Sequence, residues 1–501
     1  MENSLLIFGA GVAGLTAGCY ARMNGYPTTI YEMAEIPGGL CTSWNRKGYR
    51  FDASVAGLAG SAPGSPLYRL WEEIGVIKYC PLHFGEDFGS IRLLDGRTIT
   101  IYTNIDRLEA HLLENFPKEQ RVIKKFTRAL RSSLSIDIPF SNKHGWAALK
   151  QQWSNLLDTA SNLSFFIKYG GMSIRQFTND ISDPALATVF QNIVHFGGPD
   201  VPLLTLLLPL AYAHKKTAGI PVHGWLDFAR SIEKRFLELG GEIYYQSKVE
   251  KLYFEASKTR GVILTDGSLH TADRIISAVD GRFTRLLLPI HLQGNLDRDF
   301  ASEEISDQPV QVNLGVSLDF SHQTGSVTYI LPQSVEVAGC TQHKLTVHRK
   351  DYDPDAAPQG KTGFTIFLES DYFWWVAIQK DRARYKKEKL RCAEMVLDVL
   401  EEHYPGFRAQ VEVIDVSTPL TRERYTGNWM GAMQAKKPDS NLLKAFMTGG
   451  SKYSIGGLSH FYHTGQWAEA WGGITTAAQS GRNVIKQICR EDKIDFTSTL
   501  P

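Results

Sequence analysis

The feature that most constrains the fold is a glycine-rich turn near the N-terminus, set between an apolar segment and a helix. Residues Gly9–Gly14 read Gly-Ala-Gly-Val-Ala-Gly, which fits the pattern G-x-G-x-x-G. The turn follows a predicted buried strand, Ser4–Phe8, and opens a predicted helix, Val12–Asn24. A second predicted strand, Thr28–Tyr31, leads directly to the acidic residue Glu32. Strand, helix and strand within about 30 residues form a βαβ unit, which requires a parallel sheet.

Each position of this turn has a physical role in binding a dinucleotide. Gly9 permits the tight turn, Gly11 lets a pyrophosphate approach the backbone because it has no Cβ, and Gly14 lets the helix pack closely on the strand. The helix N-terminus offers free N–H groups and a positive partial charge to phosphate. Glu32 can accept hydrogen bonds from ribose hydroxyls, and its charge disfavours a 2′-phosphate. The predicted contacts are Gly9, Gly11, Val12, Ala13, Gly14 and Glu32.

The turn alone does not distinguish NAD from FAD, but two other glycine pairs favour FAD. The pair Gly38-Gly39 follows Glu32 closely and permits a second backbone approach to an extended cofactor. Near the C-terminus, a predicted strand is followed by a glycine-rich loop and by a predicted helix, Ile474–Cys489. The N-terminus of such a helix suits the electron-rich side of a flavin ring. The predicted contacts in these two regions are Gly38, Gly39, Gly465, Gly472, Gly473 and Ile474.

Residues 9–57 resemble the start of the flavoprotein superfamily that includes phytoene desaturases, carotenoid isomerases and flavin amine oxidases. The residues that carry this resemblance are Gly14-Leu15, Ala17, Ala21, Gly25, Glu32, Gly38-Gly39 and Gly48-Tyr49-Arg50-Phe51-Asp52. Within the superfamily the chain is most similar to the bacterial phytoene-desaturase-like branch, through its middle and C-terminal segments. These segments are Gly219-Ile220-Pro221, Gly240-Gly241-Glu242-Ile243, Gly261-Val262, Ala278-Val279-Asp280, Thr418-Pro419, Arg424-Tyr425-Thr426-Gly427-Asn428 and Gly465-Gln466-Trp467. The resemblance therefore runs nearly from end to end.

This resemblance implies a bound FAD and a long apolar substrate. The adenine end of FAD is expected near Glu32 and the backbone of Val249, and the flavin end near Gly472 and Gly473. Leu40, directly after the second glycine pair, is counted among the cofactor contacts.

The sequence differs from the family pattern in three places. Leu40 stands where many relatives have a basic residue, and residues 466–471 replace a Thr-His-Pro-Gly-like segment typical of carotene desaturases. Residues 221–224 replace a Pro-Gly-Gly near the middle helix. These differences bear on the substrate and leave the cofactor prediction intact.

The order of the predicted elements indicates an α/β fold with two domains that the chain crosses more than once. We expect a Rossmann-like FAD-binding domain built from residues 1–90, 240–290 and 411–495. We expect a substrate-binding domain of the α+β class, with a mostly helical insertion, from residues 91–239 and 291–410.

Charge and cysteine content exclude several classes of protein. The chain has 54 basic and 53 acidic residues in 501, and this balance argues against a nucleic-acid partner, which needs a basic surface. Its six cysteines are scattered, with no C-x-x-C pair, so neither a metal site nor a disulfide framework is predicted. We therefore expect a cytoplasmic protein.

Two segments suggest peripheral contact with a membrane. The longest weakly polar run, Val201–Ala213, has 13 residues, whereas a membrane span needs about 20. The predicted helix Lys118–Arg131 has one apolar and one basic face. Together they could seat the protein on an anionic bilayer, but a buried helix beside a solvated basic face explains the same pattern.

The sequence leaves the reaction open. Because no second G-x-G-x-x-G lies between a strand and a helix, we expect oxygen or a quinone as electron acceptor, or a reduced flavin that catalyses isomerisation. The main prediction is desaturation, saturation or cis–trans isomerisation of an apolar, polyene-like substrate. Amine oxidation, and binding of a lipid or partner without turnover, remain alternatives.

Glu469 is the predicted proton-transfer group. It lies between Trp467 and Trp471 in the loop before the last helix. Indole rings that exclude water raise the pKa of a neighbouring carboxyl group. A loop acid that faces water explains the same residue equally well.

Overall fold

The computed structural model describes residues 3–54, 57–136, 165, 167–194, 198–255, 258–294, 304–320, 325–435, 437, 453–469 and 472–501. The strands are β1 (Leu5–Phe8), β2 (Thr28–Tyr31), β3 (Ser43–Arg46), β4 (Tyr49–Asp52), β5 (Leu58–Ala59), β6 (Leu82–His83), β7 (Asp87–Arg92), β8 (Thr98–Tyr102), β9 (Ala218–Pro221), β10 (Glu242–Tyr244), β11 (Val249–Glu255), β12 (Lys258–Leu264), β13 (Leu269–Thr271), β14 (Arg274–Ser277), β15 (Val310–Val316), β16 (Ser326–Val337), β17 (Cys340–His348), β18 (Thr362–Leu368), β19 (Val411–Ser417) and β20 (Phe461–His463).

The helices are α1 (Val12–Met23), α2 (Tyr68–Glu73), α3 (Val76–Tyr79), α4 (Ile105–Asn115), α5 (Gln120–Ser133), α6 (Ile174–Thr178), α7 (Pro184–Asn192), α8 (Leu204–His214), α9 (Trp225–Glu238), α10 (Gly281–Leu287), α11 (Tyr372–Ile378), α12 (Arg382–His403), α13 (Pro419–Thr426) and α14 (Ile474–Glu491).

The first of the two large sheets is parallel and has the strand order β10-β2-β1-β14-β20. β1 pairs in parallel with both β2 and β14, and its four residues are all buried. Helices α1, α9 and α14 pack together beside this sheet. The predicted Rossmann-like unit is confirmed, and three strands from later parts of the chain, β10, β14 and β20, complete its sheet.

A second sheet has seven strands in the order β19-β15-β18-β17-β16-β7-β8. In β15, alternate residues Val310, Val312, Leu314 and Val316 belong to an apolar core that also contains buried residues of α12. The alternation of a strand sends the next residues, such as Gln311, to the opposite face. That opposite face lines the large cavity described below.

Helices α4 to α8 share a third core built around aromatic and leucine side chains. The apolar face of α5 is fully packed into this core, so the predicted amphipathic helix is confirmed. The run Val201–Ala213 contains α8, in which Leu204, Leu206 and Leu207 are buried. Most of this run is buried, whereas Pro209 is exposed and, with Leu208, lines the cavity described below, so contact of the run with a bilayer stays a prediction.

In the part of the chain that the structure describes, no helix combines the length and the apolar character that a transmembrane span requires. The predicted domain boundaries stay a prediction. Two strands near those boundaries, β7 and β19, pair within the seven-stranded sheet.

Candidate functional site

A cavity of about 2400 Å³ extends from the carboxyl ends of the parallel strands to the polar face of the seven-stranded sheet. A pocket for a drug-sized molecule typically holds about 300–1000 Å³. The cavity therefore has room for an extended dinucleotide and a second molecule. The predicted cofactor contacts that line it are Gly9, Gly11, Val12, Ala13, Glu32, Gly38, Gly39, Leu40, Val249, Gly465, Gly473 and Ile474.

The glycine-rich turn is open to this cavity at Gly11. A Cβ placed on Gly11 would meet no atom within 4 Å, although the residue lies against the cavity. By contrast, a Cβ on Gly14 would lie 1.9 Å from the carbonyl oxygen of Gly9. Gly14 is therefore a packing residue, whereas Gly11 leaves a cradle that fits the phosphates of a dinucleotide.

Two long helices begin at the cavity with free backbone N–H groups. α1 and α14 have glycine at the N-cap, Gly11 and Gly473, with no side-chain cap and no acid in the first turn. The helices pack so closely that a Cβ on Gly481 would lie 2.4 Å from the carbonyl oxygen of Ala13. Their positive ends favour anionic or electron-rich groups. One fits the pyrophosphate of FAD, and the other fits its flavin ring.

Gly472 does not line the cavity, because its neighbours fill the space in front of it. A Cβ on Gly472 would lie 2.8 Å from Oε1 of Gln466. The same Gln466 oxygen accepts a hydrogen bond from the N–H of Gly473 at 3.1 Å. Gly472 thus shapes the loop that presents the first turn of α14.

Glu32 is buried at the cavity wall, where its carboxylate joins two backbone segments. Oε2 accepts a hydrogen bond from the N–H of Ala10 at 2.6 Å, and Oε1 accepts one from the N–H of Ala34 at 2.8 Å. Burial raises the pKa of Glu32, and these amide hydrogen bonds oppose that rise. The carboxylate stands at the carboxyl end of β2, the position that the sequence predicts for ribose binding.

Replacement of Glu32 by Ala is expected to weaken FAD binding about ten- to a hundredfold, because the ribose hydroxyls lose a charged acceptor. Titration of apoprotein with FAD, followed by flavin fluorescence, measures the effect. Glu242→Ala, at an exposed position on the neighbouring strand β10, is the matched control and should bind FAD like wild type. Equal affinity for Glu32→Ala and wild type would exclude Glu32 as the ribose ligand.

Glu469 lies away from the cavity. Its carboxylate is half-buried and accepts a hydrogen bond from the hydroxyl of Tyr453, and Glu469 is not among the described residues that line the cavity. Trp467 donates its indole N–H to Asp280 at 2.9 Å, and Trp471 lies outside the described residues. A role of Glu469 in proton transfer stays a prediction, with no cavity contact to support it.

Asp280 is a cavity residue to which the sequence analysis gave no role. It caps α10, and its Oδ2 also accepts hydrogen bonds from the N–H of Trp429 and from the indole of Trp467. Burial raises the pKa of Asp280, and these donors oppose the rise. An aspartate between a strand and a helix is a typical N-cap signal, which could have identified it.

A cluster of buried charges forms another part of the wall. Arg50 of β4 pairs with Asp353, and Asp52 of β4 pairs with Lys350, in the connection between β17 and β18. All four side chains are at most 15% exposed. These pairs fasten the connection to the β3–β4 hairpin over the cavity.

One set of side chains in this region has the spacing of a metal site. One ligand atom each of His223, Asp353 and Asp355 lies within 4.8 Å of the others. Asp353 is already paired with Arg50, whose positive charge opposes a cation there.

The far wall of the cavity is apolar. It comprises Val194, Val201, Leu208, Pro209, Tyr212 and Ala213 from the helical region, with Phe84 and Phe88 from the segment around β7. The sequence analysis placed the helical region in the mostly helical part of the substrate-binding domain and assigned none of these residues to a binding site. After α8 the chain returns through β9 and α9 to β10 of the parallel sheet. Side chains of the helical region therefore line the same cavity as the predicted cofactor contacts.

Comparison with known sequences supports the same reading of the site. Residues 7–74 match the model for the NAD(P)-binding Rossmann-like domain. The chain is 23% identical over 441 residues to the chloroplastic prolycopene isomerase of Daucus carota, covering 85% of this chain and 70% of that protein. It is 24% identical over 516 residues to a 4,4'-diapophytoene desaturase of Methylomonas sp, covering 98% and 96% of the two chains.

A solved structure shares the complete fold. Cyclohexylamine oxidase from Brevibacterium oxydans superposes with a TM-score of 0.59 at 14% sequence identity, covering 98% of this chain and 100% of that one. At this identity the likeness establishes the two-domain fold.

Fold, cavity and comparisons together define an FAD-dependent oxidoreductase with a Rossmann-like cofactor domain. Within that class, the chain is similar to the phytoene desaturases and carotenoid isomerases of the amine-oxidase-like superfamily. The predicted cofactor and enzyme class are thereby confirmed.

Proposed function

We propose that the protein uses FAD to desaturate, saturate or isomerise a long apolar substrate with a polyene-like chain. The observation that carries this proposal is the continuity of the cavity. It runs without interruption from Gly11 and Gly473 to the apolar wall formed by Leu208 and Pro209. An apolar molecule on that wall would reach the part of the cavity that fits the flavin.

The chain's own residues would bind the cofactor, orient it, and exclude water from the substrate. The uncapped N-terminus of α1, at Gly11, would hold the pyrophosphate, and that of α14, at Gly473, would face the electron-rich edge of the ring. FAD supplies the electron and hydride chemistry. The apolar wall excludes water from the substrate chain. His348 also lines the cavity, and because burial lowers its pKa to about 4, its side chain is neutral near pH 7.

The named activities of the relatives support the substrate class. The Daucus carota protein is a prolycopene isomerase, and the Methylomonas protein is a diapophytoene desaturase. Both names denote polyenes or their precursors. Oxygen or a quinone is the proposed electron acceptor, and the cytoplasm or the cytoplasmic face of a membrane is the proposed location.

A panel of substrates tests the proposal. FAD-loaded protein is incubated with phytoene, diapophytoene and prolycopene in detergent micelles, with oxygen or a quinone in separate reactions and with prereduced flavin for isomerisation. We expect a change in the absorption spectrum of at least one polyene. Peroxide release from primary amines, with no change in any polyene, would instead establish amine oxidation.

Narrowing the apolar wall should separate substrate binding from cofactor binding. Leu208→Trp adds bulk to the cavity, and we expect turnover to fall about a hundredfold because a small displacement of the substrate disrupts its alignment. FAD affinity should not change, since Leu208 belongs to the apolar lining and is not one of the predicted cofactor contacts. Leu94→Trp, at an exposed position, is the matched control. Equal turnover in Leu208→Trp and Leu94→Trp would contradict substrate binding at this wall.

A further inference from the structure

The N-terminal part of α12 carries an unusual concentration of positive charge. Seven of the twelve residues from Lys380 to Arg391 are lysine or arginine, against two acids, although the whole chain has a net charge of only +1. Arg382, Lys386 and Lys387 are exposed and form no ion pair with any described residue. This part of the surface therefore carries exposed positive charge that no described acidic side chain neutralises.

The position of these charges works against the stability of the helix. Asp381 caps α12 and accepts a hydrogen bond from the N–H of Arg384, but the first turn after it contains no acid, and cations near a helix N-terminus are unfavourable. Apart from Asp381 and Glu388, the acids of this region lie in the C-terminal half of α12, where Glu394 and Asp398 pair with Arg408. A charge pattern opposed to the helix dipole indicates a role other than folding.

Exposed apolar side chains accompany the basic residues. Leu390 is 57% exposed and lies three and four positions after Lys387 and Lys386, hence on the same side of α12. Tyr425 of α13 is 65% exposed. Arg424 precedes Tyr425 on α13, and α13 begins against α12, where the hydroxyls of Thr418 and Tyr385 lie 2.6 Å apart. Charge and apolar surface are thus combined where α12 meets α13.

This surface adjoins the cavity, since Lys389, Arg424 and Tyr425 are among its lining residues. An amphipathic surface with lysine and arginine around aromatic and leucine side chains is the kind that binds in the headgroup region of an anionic bilayer. We propose that the surface formed by Arg382, Lys386, Lys387, Leu390, Arg424 and Tyr425 docks the protein on an anionic lipid membrane. Delivery of an apolar substrate from that membrane rests on the proposed function, whereas docking itself does not.

The other basic helix, α5, differs in one respect that makes it a control. Its exposed Arg121, Lys124 and Arg128 carry charge, but its apolar residues, such as Phe126, are buried in the core. It therefore offers charge without apolar side chains that could insert.

Sedimentation with lipid vesicles tests the proposal on the FAD-loaded protein. Wild type should bind vesicles of equal parts phosphatidylcholine and phosphatidylglycerol, and much more weakly vesicles of phosphatidylcholine alone. The triple variant Arg382→Gln, Lys386→Gln, Lys387→Gln should lose about a hundredfold in affinity, from three charges near an anionic surface. Removing the same charge from α5, by Arg121→Gln, Lys124→Gln and Arg128→Gln, should have little effect. Equal losses in both triple variants would overturn the proposal.

Two further measurements separate docking from simple charge attraction and from misfolding. Leu390→Gln should weaken binding to vesicles, because it removes an apolar side chain that inserts among the headgroups. Binding to soluble polyglutamate, which depends on charge alone, should be the same in this variant as in wild type. If Leu390→Gln binds vesicles like wild type, the partner is a soluble acidic molecule and the proposal fails. The α12 triple variant should unfold at the same or a higher temperature than wild type, since it removes cations from a helix N-terminus. Vesicle binding without turnover of any polyene would contradict the proposed function and leave docking intact.

Discussion

Gly11→Val is expected to give a folded protein that binds FAD at least about a hundredfold more weakly than wild type. Gly11 has φ −70° and ψ 176°, which valine adopts readily, and a Cβ there meets no atom within 4 Å. The apoprotein should therefore keep its stability. The branched side chain would occupy the cradle at the start of α1, so the pyrophosphate could not approach the free N–H groups.

Gly14→Val is the informative comparison, because it should have the opposite effect. Its Cβ would lie 1.9 Å from the carbonyl oxygen of Gly9, so the helix and the strand would have to separate. We expect this variant to be poorly folded even without cofactor. Thermal unfolding of the two apoproteins and FAD titration distinguish these outcomes. Tight FAD binding by Gly11→Val would show that the cofactor lies elsewhere.

The cofactor half of the site could be predicted because its signals are local. The predicted strand Thr28–Tyr31 has the observed bounds, and the predicted strand Ser4–Phe8 begins one residue before the observed β1, Leu5–Phe8. In the first unit, apolar residues, turn glycines and a helix start follow one another within a few tens of residues, so each choice restricts the next. The placement of Gly11 and Glu32 at one cavity follows directly from that unit.

The substrate half could not be predicted, because distant segments build it. Ser90 of β7 pairs with Val327 of β16, and Gln311 of β15 pairs with Ser417 of β19, so these partners lie far apart in the chain. Nothing in the periodicity of a strand identifies its partner. Burial of the run Val201–Ala213 depends on the same long-range packing. The sequence shows an apolar segment, and only the fold decides whether that segment faces lipid, core or cavity.

The buried charges at the cavity wall are another feature that could not be predicted from the sequence. Asp353→Ala is expected to lower the free energy of unfolding by about 3–5 kcal/mol, since it leaves Arg50 buried without its partner. The connection between β17 and β18 would also lose one of its attachments to the β3–β4 hairpin. Urea unfolding of the FAD-loaded protein, followed by tryptophan fluorescence, measures the change.

Removing both charges provides the control for this pair. Arg50→Met combined with Asp353→Leu replaces the ion pair by apolar side chains of similar size, and such replacements are often close to neutral in stability. We expect the double variant to recover most of what Asp353→Ala loses. The coupling between the two sites, obtained from the single and double variants, should then be large. Additive losses would mean that Arg50 and Asp353 stabilise the protein through separate contacts, Arg50 through its hydrogen bond to the carbonyl of Val222. The attachment of the connection to the hairpin would then rest on other contacts, among them the Asp52–Lys350 pair and the hydrogen bond from the N–H of Arg50 to the carbonyl of Ala356.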